Sequence, residues 1–401
     1  MTATLLRGIG RLFTATDAGV LEGAALVLRD DRIAWVGSSV DAVPPGLAAD
    51  VSQEVDVGGA LVTPGLIDAH THPVYAGQRF AEVAARSAGL SYAHLGDGAG
   101  IAATVAATRT QDWASLAAAV RARLVAWAAG GATTVEAKTG YHLTHDGELD
   151  SVRLLQQLRG GDGLPHIEVT FLAAHALPPE HGDGEWTAYA EEVASWASDA
   201  AEAGARHCDV FCDEGYFTVA QARLILNAGK AAGLVPRIHA DELAHLGGSQ
   251  LAAEIGAASA DHLLRVTDAD ARALAAAGVA ATLCPGTALS IGPLPDVRTL
   301  RARGVTIALG SDHNPGTSGI TSMSTVIALA VAALGLSVDE ALLAATRGGA
   351  RSLRLDDRGT VVPGARADLV SWDAEHEGAF AWSWDLRPRG VWLAGQPLLA
   401  L

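Results

Sequence analysis

The sequence predicts a (β/α)8 barrel with a small β-sandwich built from both chain termini. Two observations carry this. Eight short β-branched or apolar runs alternate with Ala/Leu-rich helical segments through the middle of the chain, and strand-like alternation occupies both ends. A third observation fixes where chemistry belongs: polar residues, several of them histidines, close most of the eight runs. In a barrel of this kind those closing residues converge on one mouth.

The elements follow in order. Up to about residue 62 the chain reads as short strands, "GAALVLRDDRIAWVGS" and then "QEVDVGGALVTPG", with "RDDR" as a turn. The eight barrel runs are "LVTPGLIDAHTH", "ATTVEAKTGY", "HIEVTFLAAHA", "CDVFCDEG", "LVPRIHADE", "AASADHLL", "GVAATLCPG" and "GVTIALGSDHNPG". Helical segments such as "WASLAAAVRARLVAWAAGG" and "VAQARLILNAGKAAGL" separate them, with glycines suited to ending a helix. The far end, "GTVVPGARADLVSWDA" and "RGVWLAGQPLL", returns to strands. The divisions expected are residues 1–62 and 358–401 for the two parts of the sandwich and 63–357 for the barrel. An open doubly wound sheet is the competing arrangement, and no G-x-G-x-x-G opens the first helix to support it.

Composition excludes several classes. The chain has 401 residues, 49% hydrophobic and 18% charged, which suits a globular enzyme. Its 28 basic and 45 acidic residues leave a formal charge of −17, unfavourable for binding nucleic acid or an anionic membrane. Three cysteines (Cys208, Cys212, Cys284) are too few for a disulfide framework and suit the reducing cytoplasm. The N-terminal apolar stretch is too short for a signal peptide, and no run is long enough to span a bilayer.

The residues closing the runs are His70 and His72, Tyr141, His175, Glu214, His239 with Glu242, His262 and Asp312. His70 and His72 stand two apart, so on a strand they share a face; the plain alternative is two solvated loop imidazoles. Six of the fourteen histidines lie at or near strand ends. Three imidazoles and a carboxylate (His70, His72, His239, Asp312) suit Zn²⁺ or Fe with a position left open for water. A bound metal lowers the pKa of that water toward ~7. Asp312 is then ligand and proton shuttle, Glu242 the acid for a leaving nitrogen, and His262 the group that polarises a scissile carbonyl. Cys208 and Cys212 read as core, and His94, His142, His145, His166, His181, His207, His245 and His376 as loop or surface imidazoles. Lys138, one of two lysines, reads as a partner of Glu136 or a neighbouring acid.

His-x-His after strand one, His-x-x-Glu at strand five, His at strand six and Asp at strand eight resemble the amidohydrolase superfamily. "LVTPGLIDAHTHPVYAGQR", "TTVEAKTGY", "TFLAAHALP", "DVFCDEGYF", "IHADEL", "SADHL" and "SDHNPGTS" resemble its imidazolonepropionase family, over roughly residues 55 to 375. That resemblance implies hydrolysis of the cyclic amide of 4-imidazolone-5-propanoate to N-formimidoyl-L-glutamate in histidine degradation. It implies one Zn²⁺ or Fe ion per chain, a small carboxylate-bearing heterocycle as partner, a homodimer and a cytoplasmic location. Substrate contacts map onto Arg79, Tyr92, Tyr141, His175, Glu242, Asn314, Gly316 and Thr317. Arg79 also has a reading of its own: a guanidinium holds a carboxylate by two parallel hydrogen bonds, or else it pairs with Glu82. Two departures from the family pattern stand out, His313 in place of an apolar residue and a seventh-strand loop "CPGTALSIGPLP" without its aromatic-rich segment. Such a wall admits a modified imidazolone or another cyclic amide. A cytosine- or guanine-type aminohydrolase uses the same metal parts on an exocyclic amine.

Overall fold

The computed structural model describes residues 3–89 and 100–399. Both chain ends form one eight-stranded, mostly antiparallel sheet: β1 (Ala3–Phe13), β2 (Val20–Arg29), β3 (Arg32–Gly37), β4 (Val51–Asp56) and β5 (Leu61–Pro64) join the three C-terminal strands. The barrel strands are β6 (Leu66–Thr71), β7 (Ala132–Lys138), β8 (His166–Ala174), β9 (His207–Cys212), β10 (Val235–Ala240), β11 (Ser259–His262), β12 (Ala280–Leu283) and β13 (Ile307–Leu309). The C-terminal strands are β14 (Leu369–Trp372), β15 (Pro388–Leu393) and β16 (Gln396–Leu399). β14 meets β5 antiparallel, Val370 opposite Thr63, which stitches the two ends together. Leu6, Ile9, Leu12, Leu26, Val62, Leu369 and Trp392 pack a core belonging to this sheet.

β6 to β13 run parallel in sequence order. The seam between β13 and β6 is closed just beyond the strand: Asp312 N donates to His70 O at 2.9 Å and His72 N to His313 O at 3.0 Å. Asp68 Oδ1 accepts from Ser311 N at 2.8 Å on the same seam. The seam that closes the barrel is therefore pinned through three of the residues expected to hold metal, His70, His72 and Asp312. The strands are buried along nearly their whole length, which is why they read as apolar runs rather than as alternation.

The first run, read as one strand, is two. Gly65 divides it, with β5 in the terminal sheet and β6 in the barrel. A Cβ on Gly65 would sit 2.0 Å from Thr133 Oγ1 and 2.7 Å from Thr133 Cβ, so only glycine lets the chain pass so close to β7. The stretch "GTVVPGARAD" forms turns rather than strand up to Leu369, its Gly364 at φ +89°. The helices sit as expected: Trp113–Ala129 opens on Asp112, whose carboxylate accepts from Ser115 N, and Val219–Ala231 on a Thr218/Gln221 capping box. Among the described residues no helix is long and apolar enough to cross a membrane.

Candidate metal centre and active site

Four side chains from β6, β10 and the end of β13 meet at the barrel mouth. His70 Nε2 and His72 Nε2 lie 3.2 Å apart. Asp312 Oδ1 is 3.2 Å from His72 Nε2 and 3.5 Å from His70 Nε2. The donor atoms of His70, His72 and His239 all fall within 4.8 Å of one another. Zinc–ligand bonds of ~2.0–2.1 Å at tetrahedral angles place neighbouring donors ~3.3 Å apart, which the His70, His72 and Asp312 triangle matches at 3.2, 3.2 and 3.5 Å. His239 Nε2 is buried with no hydrogen-bond partner among the described residues, the orphan a metal ion would satisfy. The donor set, three imidazoles and a carboxylate, fits Zn²⁺ or Fe.

The imidazoles are aimed from behind. Asp261 Oδ2 lies 2.7 Å from His70 Nδ1, and Asp209 Oδ1 lies 3.2 Å from His239 Nδ1. A carboxylate on Nδ1 fixes the tautomer that leaves Nε2 as the free donor atom. Burial drives the His239 pKa down to about 4, against the pull of Asp209, so its ring is neutral and able to ligate. Burial likewise pushes the Asp312 carboxyl up, but the hydrogen bond from His72 and the nearby His262 and His70 outweigh it and hold it well below the usual range. Asp312 and His262 both adopt left-handed backbone angles, φ 47° and 75°, a strain that accompanies sites needing fixed side-chain directions.

A narrow cleft opens above these residues, lined by His72, Arg79, Tyr141, His175, Glu242, His262, Asp312, Asn314 and Thr317, with Ile101, Phe211 and Leu243. Burial raises the Glu242 pKa to about 7, helped by Asp312 and Asp213 and opposed by His262. His262 Nδ1 is 3.7 Å from Glu242 Oε1; burial alone would lower its pKa, but Glu242, Asp312 and Asp261 raise it instead. The His175 ring stacks on His72 at 5.0 Å, with Nδ1 2.9 Å from Gly140 O. Arg79 is buried and hydrogen-bonds Glu82 Oε2 through Nε at 2.9 Å and Nη2 at 2.6 Å. Arg79 thus pairs with Glu82, one of its two readings, and it lines the cleft. Gly316 leaves room for it, since a Cβ there would come within 2.5 Å of Arg79 Nη1.

Residues 61–398 match the amidohydrolase family. The chain is 45% identical over 382 residues to the imidazolonepropionase of Mycolicibacterium smegmatis, covering 93% of this chain and 92% of that one. The belonging is thereby settled. The chain is a member of the imidazolonepropionase family. The Rhodococcus jostii imidazolonepropionase is 44% identical, with 93% of this chain and 89% of that protein aligned. Among solved structures, the N-isopropylammelide isopropylaminohydrolase of Burkholderia multivorans superposes with a TM-score of 0.72 at 24% identity, over 99% of this chain and 98% of that one, a likeness of fold.

Against the positions that the imidazolonepropionase pattern marks, the structure gathers Arg79, Tyr141, His175, Glu242, Asn314 and Thr317 in the cleft. Gly316 stands behind Arg79 instead, and Tyr92 lies outside the described residues. Asn314 organises its own loop, Oδ1 accepting from Gly316 N and Thr317 N at 2.8 Å each. Glu214 is exposed and turned away from the cleft; the carboxylate at that strand end is Asp213, which accepts from Glu242 N, Leu243 N and Ala244 N. His313 faces away from the cleft too, its Nε2 3.0 Å from Tyr75 Oη and its ring edge-on to Trp127. His207 is no surface imidazole: it starts β9 fully buried, its pKa pushed well below the usual range by burial and by Arg237 and Arg206.

Sequence reasoning missed Asp209 and Asp261, Thr287, whose Oγ1 donates to Asp312 Oδ2 at 2.5 Å, and Glu148, which accepts from Gly140 N, His142 N and Leu143 N at 2.8 Å each. A signal for the first two existed: each is a charged residue inside a run otherwise apolar, which a buried strand tolerates only when the charge has a partner.

Proposed function

We propose that the chain hydrolyses the cyclic amide of 4-imidazolone-5-propanoate to N-formimidoyl-L-glutamate, with one Zn²⁺ or Fe ion held by His70, His72, His239 and Asp312. The family membership supports the reaction, and the arrangement of the cleft supports the residue roles. The observation that carries the roles is the presence of a fixed guanidinium, Arg79, in the same cleft as the metal donors.

A metal bound there supplies Lewis-acid activation of a water and of the ring carbonyl. Asp312, held ionised, takes up the proton that the attacking water gives up. Thr287 keeps its carboxylate oriented by donating to Oδ2. His262 hydrogen-bonds the oxygen that gains charge as the carbonyl is attacked. Glu242, whose pKa of about 7 leaves it protonated part of the time at neutral pH, delivers a proton to the departing ring nitrogen. Arg79 holds the propanoate, and Tyr141 and His175 flank the ring. The anionic tail favours this reading over nucleobase deamination, since most nucleobases offer Arg79 nothing to hold. Three buried free cysteines agree with a cytoplasmic location, and a homodimer is the assembly the family resemblance implies.

The test is an assay on freshly generated imidazolone propanoate, following N-formimidoyl-L-glutamate by chromatography. Conversion is expected with metal-replete protein. Ammonia release from nucleobases, with no turnover of imidazolone propanoate, would overturn the assignment.

A further inference from the structure

Below the imidazoles, the barrel interior holds five charged side chains sealed from water: Glu136, Lys138, Asp209, Arg237 and Asp261. Two buried cations interleave with three carboxylates, the opposite-charge contact under which such burial is tolerated; Arg237 Nε makes no hydrogen bond among the described residues and stands 3.5 Å from Glu136 Oε1. Arg237 is tied mainly to backbone, donating to Ser352 O at 2.7 Å and Ala69 O at 2.8 Å, and it reaches Asp261 Oδ2 at 3.1 Å. Lys138 sits otherwise. Its Nζ donates to Glu136 Oε1 and to Asp209 Oδ2, both at 2.7 Å, and stands 3.6 Å from Asp261 Oδ2.

Asp209 and Asp261 are the two carboxylates that aim His239 and His70. Besides His239 and Lys138, Asp209 engages only the adjacent Val210 N, at 2.7 Å, among the hydrogen bonds of the described residues. Remove the ammonium, and Asp209 Oδ2 keeps only His239 Nδ1, at 3.1 Å, while it stays buried with a second carboxylate 3.6 Å from where the charge stood. We infer that Lys138 is a positioning residue of the metal centre, acting chiefly through Asp209 to hold His239 in its ligating orientation. The inference rests on reading His70 and His239 as metal donors. Lys138 is too firmly held to serve instead as a carbamylated bridge between metals. That reaction needs a free amine, whereas this nitrogen donates to two carboxylates that, against the effect of burial, raise its pKa.

The experiment measures Zn²⁺ affinity of stripped protein by competition with a chromophoric chelator, alongside the melting temperature of the metal-free form. Lys138→Met and Lys138→Gln are each expected to weaken Zn²⁺ binding roughly 10- to 100-fold, the range typical of lost partners behind a metal ligand. Asp209→Asn is expected to do the same. The double variant Lys138→Met/Asp209→Asn should bind no more weakly than Asp209→Asn alone, because both changes break one chain of contacts. A folded Lys138 variant that binds Zn²⁺ within threefold of the parent overturns the inference, even if its melting temperature falls, since that is the mark of a merely structural role. If neither single Lys138 variant folds, the charge-balanced Lys138→Met/Glu136→Gln, which leaves Asp209 in place, decides: Zn²⁺ binding weakened tenfold or more supports the inference, and anything less overturns it. Parent protein that takes up no Zn²⁺ or Fe would remove the metal centre itself, a failure visible before any variant is made.

Discussion

The Arg79 guanidinium is engaged by Glu82 before any substrate arrives, so a carboxylate entering the cleft meets a cation already held in place. Arg79→Ala is expected to lower kcat/KM by roughly 30- to 1,000-fold, mostly through KM, corresponding to ~2–4 kcal/mol for a desolvated charge pair. Steady-state kinetics on imidazolone propanoate check it, and an unchanged kcat/KM would remove Arg79 from tail binding. Glu242 makes a prediction in pH. Its native pKa of about 7 exceeds the ordinary 4.5, so between those values the folded protein holds the extra proton and stability falls as pH rises. Glu242→Gln carries no such charge. Metal-free Glu242→Gln should therefore be more stable than the parent at pH 8, by up to ~3 kcal/mol, with the gap closing toward pH 4.5. Urea unfolding at both pH values reads this directly; a gap that does not change with pH would show that Glu242 is ionised in the folded state throughout.

The barrel strands were legible in the sequence because strands buried on both faces read as unbroken apolar runs, and the cluster of candidate metal donors because imidazoles stood at the ends of those runs. What one run alone cannot display is which neighbour it touches. Gly65 reads as one more residue of an unbroken run until Thr133 is seen against it, and Glu214 reads as the residue closing its run until it is found exposed while Asp213 meets three backbone amides. Gly310 shows the same dependence on long-range packing. A Cβ there would lie 2.6 Å from His70 Cβ, 3.0 Å from His70 N and 3.2 Å from its Cα, so β13 can pass β6 only without a side chain. Because the obstacle includes backbone, Gly310→Ala must move β6 itself. The expected result is destabilisation of about 1–3 kcal/mol, the usual range for overpacking, together with weakened metal retention as His70 shifts. A variant retaining metal like the parent after dialysis against chelator would show that the seam yields elsewhere.

At the scale of the whole molecule, the terminal sheet and the barrel share one apolar cluster. Phe13 and Leu61 of the N-terminal strands and Trp372 and Val391 of the C-terminal strands pack with Leu66, Trp127 and Val135 of the barrel. On the N-terminal side the chain crosses from the terminal sheet to the barrel through a single residue, Gly65, with no linker between β5 and β6. Shared burial and a taut crossing make local melting of the terminal sheet costly to the barrel, so both are expected to unfold together. A metal that binds only the folded form adds RT ln(1 + [M]/Kd), which moves the single transition upward as free metal rises, by ~2.7 kcal/mol at 100 times Kd. Calorimetry of stripped and metal-loaded protein should therefore show one endotherm each, the loaded one at higher temperature. Two resolved endotherms, with only one moved by metal, would mean that the sheet and the barrel are energetically separate and that the shared cluster contributes little to coupling them.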